Sequence, residues 1–547
     1  MRITNNMMLR TTKSNIYGNK ENVNTLNNQM SSQKKISRPS EDPVVAIRAL
    51  RLRSNLSEIN QYYEKNIPDA EAWLDVTETS LNNMESIFSD IRTQCVYGAT
   101  GTLTADDRNA ILTNLKKLRE QVYAEGNTDY AGRTVFTGFR TNCNLTFMDE
   151  EPKTSYQIRE TFDIDDIEEE HRYYKGEAAV PTDADLKNGA TIGELERTTS
   201  DRIRFSYKEL DTEVVTDADG NPVLDANGKE VKTITGLGLS YTDGTLDADG
   251  NLVYQNLADM TTESGQVSVT VYETIDEWKD ASATGAFENA VGANDIIVIA
   301  ETGEMLLGKD VTTAIKSNDY QLAVDYQKTG FSKGELRPEY YFNCTDITDP
   351  NPDKHVYYEK YDGAGRELSQ DINYLIASNQ TLTINLNASD VLDASAGRDV
   401  DEMINAVEYA INAHDKVAEI ESLQGLEEYA SDEDQAKIKE WLEAAKKEAD
   451  YADDNLKKLY NDYIGNFDKY LVDVDLAITT VGSKGAQLKL TQTRVSNQQL
   501  TIEELKSSNE DRELSDIIID YTSAYTAYQG SLQAASKINQ NTLLNYI

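Results

Sequence analysis

The final stretch of the chain, residues 514–545, constrains the fold most, because it carries an apolar seam with nothing nearby to bury against. The seam consists of Leu514, Ile518, Tyr521, Tyr525, Tyr528, Leu532, Ala535 and Ile538. Its steps alternate between four and three residues, which places the members along one face of a helix. Such a helix would be about 45–50 Å long. It needs partner helices, either from elsewhere in the chain or from other copies.

The N-terminus offers one candidate partner. Ile16, Val23, Leu26 and Met30 form a thin helical stripe within residues 1–37. So few apolar groups cannot offset an ordering cost of about 1–2 kcal/mol per residue. We therefore expect an arm that is disordered in an isolated monomer and helical when packed on a partner. The alternative, a simple disordered tail, leaves the regular spacing unexplained.

Two polar segments, 37–42 and 506–512, read as hinges that detach the two terminal stretches. The first contains the motif residues Arg38, Pro39, Ser40, Asp42 and Pro43. Asp42 suits the N-cap of a helix and Pro43 its first position. The order of arm, hinge and long seam at the N-terminus recurs in reverse at the C-terminus. Pairing the two ends antiparallel would build one helical bundle.

A long helical seam follows the first hinge. Pro68 predicts an interruption just before it, and Gly98 and Gly101 predict the end of the run. The members of this seam are Leu52, Leu56, Ile59, Tyr63, Ala70, Trp73, Thr77, Leu81, Met84, Phe88, Ile91 and Cys95.

Thr104 and Asp107 have the spacing of a capping box and predict the start of another helix. Gly126 and Asn127 predict its end. Residues 133–141 have strand composition around Gly138 and predict a short hairpin.

Residues 145–400 differ in character, with short alternating runs and many turn signals. Strands are predicted for the runs at 202–207, 266–272 and 381–386, and a short helix is expected near 308–318. Helical patterns return over 401–478, where the charged segment 427–454 suggests a solvated helical hairpin.

Three similar segments in the middle region, 217–221, 225–229 and 247–251, begin with Asp and carry Gly at the fourth position. Alternating carboxylates suggest calcium, but an EF-hand loop needs Gly at position six and Glu at twelve. We interpret these segments as hairpin tips, where Asp, Asn and Gly supply the conformations of a tight turn.

The predicted fold class is α+β: an elongated helical bundle stalk formed by both chain ends, with a β-rich inserted outer domain. The predicted regions are an N-terminal arm and hinge (1–42), two parts of the helical stalk (43–144 and 401–512), the β-rich insertion (145–400) and a C-terminal assembly helix (513–547).

Composition excludes several functions. The formal net charge of −42 argues against nucleic acid and against an anionic membrane surface. Three scattered cysteines and three scattered histidines suggest neither a disulfide framework nor a metal site, and no cofactor is expected. No nucleophile elbow, P-loop or dinucleotide fingerprint occurs, so we do not expect an enzyme. The N-terminus lacks the apolar region of a cleavable signal peptide.

Four segments resemble the flagellin superfamily. They are 34–66 (KKISRPSEDPVVAIRALRLRSNLSEINQYYEKN), 126–141 (GNTDYAGRTVFTGFRT), 379–392 (NQTLTINLNASDVL) and 526–547 (TAYQGSLQAASKINQNTLLNYI). The start Met1–Thr4 and the end Leu543–Ile547 resemble members that join the hook to the filament more than they resemble flagellin itself.

The resemblance implies a secreted, non-enzymatic structural subunit of the bacterial flagellum that acts as an adaptor at the hook–filament junction. It implies export through the flagellar type III apparatus without a cleavable signal peptide, aided by an export chaperone. The implied partners are neighbouring copies in a ring, another hook-associated protein and flagellin. A major or minor flagellin of the filament is the alternative.

Overall fold

The computed structural model describes residues 5–99, 103–188, 192, 195–217, 220–224, 228–262, 264–281 and 287–540. Long helices occupy both ends of the chain and strands its middle, which confirms the predicted α+β class. The helices are α1 (Asn5–Ser32), α2 (Pro43–Gln61), α3 (Ile67–Ala99), α4 (Ala105–Gly126), α5 (Asp183–Asn188), α6 (Ile275–Ala281), α7 (Lys309–Asn318), α8 (Ala394–Leu423), α9 (Asp432–Glu510) and α10 (Leu514–Gln540).

The chain divides into two compact units. The first comprises residues 1–72, 373–382 and 484–547, and the second comprises 73–372 and 383–483. The first unit therefore takes its helices from the two chain ends and one hairpin from the middle of the sequence. Helices α3 and α9 contribute residues to both units.

In the first unit, α2 begins as the sequence predicts. The Asp42 carboxylate accepts hydrogen bonds from the amides of Val44 (3.0 Å) and Val45 (3.1 Å), and Pro43 takes the first helical position. A π-helical turn (Tyr62–Asn66) separates α2 from α3 immediately before Pro68. This confirms the predicted interruption, because the proline ring cannot continue a regular hydrogen-bond ladder.

In the second unit, the predicted seam of α3 is buried. Phe88 lies edge-on to Phe467 of α9, with ring centroids 5.8 Å apart. Helix α4 begins with the predicted Thr104–Asp107 capping box and ends at Gly126.

The predicted end of α3 agrees with the structure, whereas the predicted hairpin is misplaced. The described part of α3 ends at Ala99, one residue beyond Gly98, and a Cβ at Gly98 would come within 2.2 Å of the Tyr460 ring. Gly101 lies outside the described residues. The short hairpin is β1 (Asp129–Tyr130) and β2 (Arg133–Thr134), before the predicted 133–141.

Two larger sheets make up the β region of the second unit. The six-stranded sheet has the order β17-β16-β3-β15-β8-β9 and is antiparallel throughout. The five-stranded sheet has the order β12-β13-β14-β5-β4, in which only β12 and β13 are parallel. Their strands are β3 (Glu151–Phe162), β4 (Glu168–Lys175), β5 (Glu196–Arg204), β8 (Gly238–Thr242), β9 (Gln255–Asn256), β12 (Ser268–Tyr272), β13 (Asp295–Ile299), β14 (Glu304–Leu307), β15 (Gln321–Phe331), β16 (Asn343–Asp346) and β17 (Val356–Tyr358).

Residues from both sheets and from α7 share one apolar core. It includes Ile158, Phe205, Val298 and Tyr326, and Phe205 stacks on Tyr326 with ring centroids 5.5 Å apart. The predicted helix near 308–318 is α7. Three further pairs of strands lie outside the two sheets: β6 (Thr212–Val214) with β7 (Lys232–Ile234), β10 (Thr261–Thr262) with β11 (Gly265–Gln266), and β18 (Asn373–Ala377) with β19 (Gln380–Thr383).

The Asp-rich segments are turns where they are described. The Asp247 carboxylate accepts from the amides of Asp249 and Asn251, both at 2.9 Å, and Gly250 has φ +85°. These amide donors lower the pKa of Asp247. The segment at 217–221 has the same bond from the Asn221 amide to Asp217, and part of 225–229 lies outside the described residues.

Three boundaries in the C-terminal half differ from the sequence prediction. Helix α8 begins at Ala394, before the predicted 401. The segment 427–454 is not a hairpin by itself: the turn between α8 and α9 precedes Asp432, and most of the segment belongs to α9. Nor is it only solvated, because Trp441 and Leu442 pack in an apolar cluster with Ile420. Helix α9 also continues to Glu510, well into the predicted hinge.

In the part of the chain that the structure describes, no helix combines the length and apolarity needed to cross a bilayer.

Candidate assembly site

Helices α1 and α10 pack against each other in the first unit, and we call them the terminal helix pair. The four predicted residues of α1, Ile16, Val23, Leu26 and Met30, are all half-buried. On α10, Ile517 is fully buried, and half-buried residues continue from it at steps of four and three: Tyr521, Ala524, Tyr528, Ser531, Ala535 and Ile538. The Asn19 amide donates to the Ser531 hydroxyl within the pair. The N-terminal arm is thus the partner of the C-terminal helix within one chain.

The pairing uses only part of the predicted C-terminal seam. Tyr521, Tyr528, Ala535 and Ile538 belong to the half-buried face, whereas the other four members are exposed. We call these four, Leu514, Ile518, Tyr525 and Leu532, the exposed stripe; their exposed fractions run from 42% to 47%. The Tyr525 ring stacks on that of Tyr521 (centroids 5.9 Å apart), so the stripe is continuous with the half-buried face. A helix with two adjacent apolar faces can pack against two neighbours at once.

The two predicted hinges lie side by side. The Lys35 amide donates to the Glu510 carbonyl (2.7 Å), and the Arg512 amide donates to the Gln33 carbonyl (3.0 Å). Lys34 and Asp511 form an antiparallel bridge between these bonds. The segments 33–35 and 510–512 therefore cross as a short β ladder, which we call the crossover.

Ion pairs reinforce the crossover. The Arg53 guanidinium donates to both carboxylate oxygens of Glu510, at 2.8 and 2.6 Å, and Lys34 pairs with Asp511. Glu510 is only 4% exposed, so its charge depends on these cations. The hydrogen bond from Arg53 lowers the pKa of Glu510, and the bond from Lys34 lowers the pKa of Asp511. Both carboxylates are held in their ionised form.

Arg512 ties the crossover to both terminal helices. Its guanidinium donates to the Gln29 side chain of α1 (2.9 Å) and pairs with Asp520 of α10. The sequence predicted a polar second hinge but no role for Arg53, Glu510, Asp511 or Arg512. The density of charged residues in the second predicted hinge, 506–512, is the sequence signal that could have identified this role.

The motif residues of the first hinge lie near the crossover but outside it. Arg38 and Glu41 close a turn through a 3.0 Å bond between the Glu41 amide and the Arg38 carbonyl. Ser40 is exposed, and Pro39 follows Arg38 in the turn. With the Asp42–Pro43 helix start, these residues direct the chain from the crossover into α2.

A buried ionic network is the most enzyme-like feature of the second unit. Arg202 of β5 donates to Glu168 (2.7 Å), Glu304 (2.8 Å) and Glu402 (2.7 Å). Arg204, also on β5, pairs with Glu402 and Asp399, and its guanidinium bonds to the Tyr463 hydroxyl at 2.9 Å. The network connects the five-stranded sheet to α8 and α9.

Burial and the two arginines shift the pKa values of groups in this network. Burial, with the neighbouring Arg202 cation, lowers the pKa of His171 to about 3, so this imidazole stays neutral. Burial opposes the charge of Glu402, but the adjacent Arg202 outweighs it and lowers the pKa of Glu402 well below its usual range. Among the described residues, no cluster of three or more His, Cys, Asp or Glu has the arrangement of a metal site.

The comparison with protein families matches the N-terminal helices. Residues 3–141 match the bacterial flagellin N-terminal helical region. The N-terminal region of this chain is therefore similar to that of bacterial flagellins. The matched region includes α1, the first hinge, α2 and α3. It therefore contains one helix of the terminal helix pair and one of the two segments of the crossover.

Two relatives belong to the flagellum by name. The chain is 32% identical over 142 residues to flagellar hook-associated protein 3 of Salmonella typhimurium, which covers 26% of this chain and 44% of that protein. It is 27% identical over 128 residues to a flagellin of Clostridium tyrobutyricum, covering 23% and 34% respectively. The chain thus matches less than half the length of each relative.

A solved flagellar hook-associated protein 3 from Legionella pneumophila aligns with 84% of this chain and 97% of its own, at 10% identity and a TM-score of 0.29. That TM-score is too low to support a shared topology.

Proposed function

We propose that this protein is a structural subunit of the bacterial flagellum and an adaptor at the hook–filament junction. The observation that carries the proposal is the exposed stripe of α10, which lies beside a face already covered by α1. A monomer leaves nearly half of each of these four large apolar side chains in water. Burying that remainder against another subunit stabilises an assembly by up to about half of the 1.5–3 kcal/mol that full burial of one such side chain contributes. The relative named hook-associated protein 3 supports the location.

The partners follow from this role. Neighbouring copies form a ring, another hook-associated protein lies on the hook side and flagellin lies on the filament side. The subunit is extracellular and non-enzymatic, and it leaves the cell unfolded through the flagellar export apparatus with an export chaperone. In the monomer the terminal helix pair opens readily, and it becomes fully ordered in the assembly.

The first experiment places charge in the exposed stripe. We expect Tyr525→Asp with Leu532→Asp to abolish self-association in sedimentation velocity, because both carboxylates would be buried between subunits without a cation. The rest of the chain should keep its helicity by circular dichroism. The matched control is Ser523→Asp with Ala534→Asp, which adds the same charge to exposed positions of α10 away from the stripe.

Two results would contradict this role of the stripe. One is an equal loss of association in the control pair, which would point to net charge rather than to the stripe. The other is a large fall in helicity outside α10, which would mean that the stripe supports the monomer.

A flagellin of the filament is the second candidate function, because the family match covers a flagellin region and one relative is a flagellin. Immunogold labelling of intact flagella separates the two. Label in one zone between hook and filament supports the adaptor, whereas label along the filament identifies a filament subunit.

A further inference from the structure

The charge of this chain is divided very unevenly between its two units. The first unit holds 17 of the 53 basic and 14 of the 95 acidic residues, which leaves 36 basic and 81 acidic residues in the second. Residues 1–53 alone carry ten basic and three acidic side chains. Copies with a net charge of −42 repel each other. Any surface that joins them should therefore offer unpaired cations to an acidic patch.

The outward side of α2 is such a cationic surface. Val44, Ile47 and Leu50 are 59%, 52% and 65% exposed, while Ala46, Ala49 and Leu56 form the buried side of the same helix. Arg48 and Arg51 are exposed beside the apolar residues, and neither has an ion pair among the described residues. We call Val44, Ile47, Arg48, Leu50 and Arg51 the basic face.

The last turns of α9 carry exposed apolar residues beside acidic ones. Leu500 and Leu505 are 57% and 50% exposed, and Glu503 and Glu504 are exposed between them. Within the described chain, neither glutamate pairs with a cation, although Glu510 on the same helix does. We call Leu500, Glu503, Glu504 and Leu505 the acidic face.

The two faces lie on the two helices of one antiparallel pair. The Asn509 amide donates to the Val45 carbonyl (3.1 Å), and the Gln499 amide donates to Asn60 (2.9 Å). Val45 therefore lies beside Asn509 and Asn60 beside Gln499, so the basic face lies towards the Asn509 end of the pair and the acidic face towards the Gln499 end. Contacts between two different surfaces join copies head to tail, and they close into a ring when the rotation between copies allows it.

We propose that the basic face of one copy docks on the acidic face of the next. The proposal rests on the self-assembling subunit proposed above, and it names the contact that orders copies within the ring. Apolar residues of both faces form the centre of the contact. Arg48 and Arg51 of one copy pair there with Glu503 and Glu504 of its neighbour.

Charge reversal in the full chain tests this contact. One variant carries Arg48→Glu and Arg51→Glu, and the other carries Glu503→Arg and Glu504→Arg. Each variant alone presents like charges on both faces, so self-association should weaken at least about tenfold in sedimentation velocity. An equimolar mixture restores opposite charges at every contact, and it should associate within about threefold of wild type.

The control is Lys117→Glu with Lys457→Glu. Both lysines are exposed in the second unit, and the pair changes net charge as much as the arginine reversal does. We expect it to associate like wild type. Circular dichroism of every variant checks that the helices are retained.

Two outcomes would overturn the proposal while leaving the proposed function intact. In one, the reversed variants associate as wild type does, so these faces serve a different partner. In the other, association is lost but the mixture does not restore it. A wild-type chain that stays monomeric at every concentration would instead contradict the proposed self-assembly as well.

Discussion

At the scale of single residues, burial decides what a side chain does here. Glu160 of β3 lies wholly inside the β core, where it accepts hydrogen bonds from the Tyr326 hydroxyl and the Ser206 amide. Desolvation outweighs these bonds and raises the pKa of Glu160 to about 7. In sequence it is one of many acidic residues in alternating runs, and nothing local distinguishes it.

Glu160→Gln should change the pH dependence of stability. The folded pKa exceeds the unfolded value, so the native state binds more protons, and stability falls as pH rises from about 4.5 through 7. Between pH 5 and 8, the unfolding free energy of the Gln variant should rise relative to that of wild type by about 2.5 kcal/mol. Urea unfolding at both pH values measures this. Glu151→Gln, exposed on the same strand, is the control, and equal shifts in both variants would refute the assignment.

Gly98→Ala tests a close approach of α3 to α9. A methyl group there would meet the Tyr460 ring at 2.2 Å, and this ring is fully buried. We expect a loss of about 1–3 kcal/mol in unfolding free energy, since an overpacked core must shift. Gly465→Ala, in open space on α9, should gain up to about 1 kcal/mol from helix propensity. Stability unchanged in Gly98→Ala would show that the ring can move aside.

At the scale of secondary-structure elements, the crossover matters more than either hinge by itself. The sequence predicts that the two polar segments are hinges that detach the terminal stretches. The structure pairs 33–35 with 510–512, so each segment supplies backbone hydrogen bonds that the other needs. Glu510 and Arg53 then hold α9 and α2 together beside this ladder.

Glu510→Gln should loosen the crossover at neutral pH. Gln keeps the size of the side chain but loses the charge that Arg53 and Lys34 neutralise. Amide hydrogen exchange at Lys35 and Arg512 should therefore accelerate. Because the pKa of Glu510 is lowered, its contribution is present above about pH 4.3 and is lost as pH falls further. Wild type should approach the variant only in acid.

Glu504→Gln is the control for the crossover, since Glu504 is exposed on the same helix. Its exchange at Lys35 and Arg512 should match wild type at every pH. Faster exchange in this variant too would mean that any acidic residue at the end of α9 has the same effect.

At the scale of the whole molecule, stability should differ strongly between the chain ends and the rest. Among the side chains of α10 that the structure describes, only Ile517 is fully buried, whereas the middle of α9 buries Phe467, Tyr470 and Val474. Regions with few buried apolar contacts open locally at low cost in free energy.

Hydrogen exchange of the monomer should show this difference. We expect amides of α10 to exchange at least about 100-fold faster than those of α9 between 467 and 481, a gap of about 2.7 kcal/mol in opening free energy. Equally slow exchange across α10 would contradict a terminal helix pair that becomes fully ordered only on assembly.

Much of this protein follows from local patterns in its sequence. The helix starts at Asp42 and Thr104, the interruption before Pro68 and the Asp-rich turns depend on neighbours within a few residues, so the sequence alone predicts them. The α+β arrangement follows in the same way, because helical and strand periodicities are local properties. The spacing of apolar residues predicts the seam on α10 in the same way.

Only the tertiary structure decided how these pieces are used. It divided the α10 seam into a face covered by α1 and an exposed stripe, and it brought Glu510 to Arg53 across 457 positions of sequence. It also joined Arg202 and Arg204 of β5 to carboxylates on α8. A periodic pattern identifies a face that must be buried, but the partner that covers it comes from distant parts of the chain, and no local pattern names that partner.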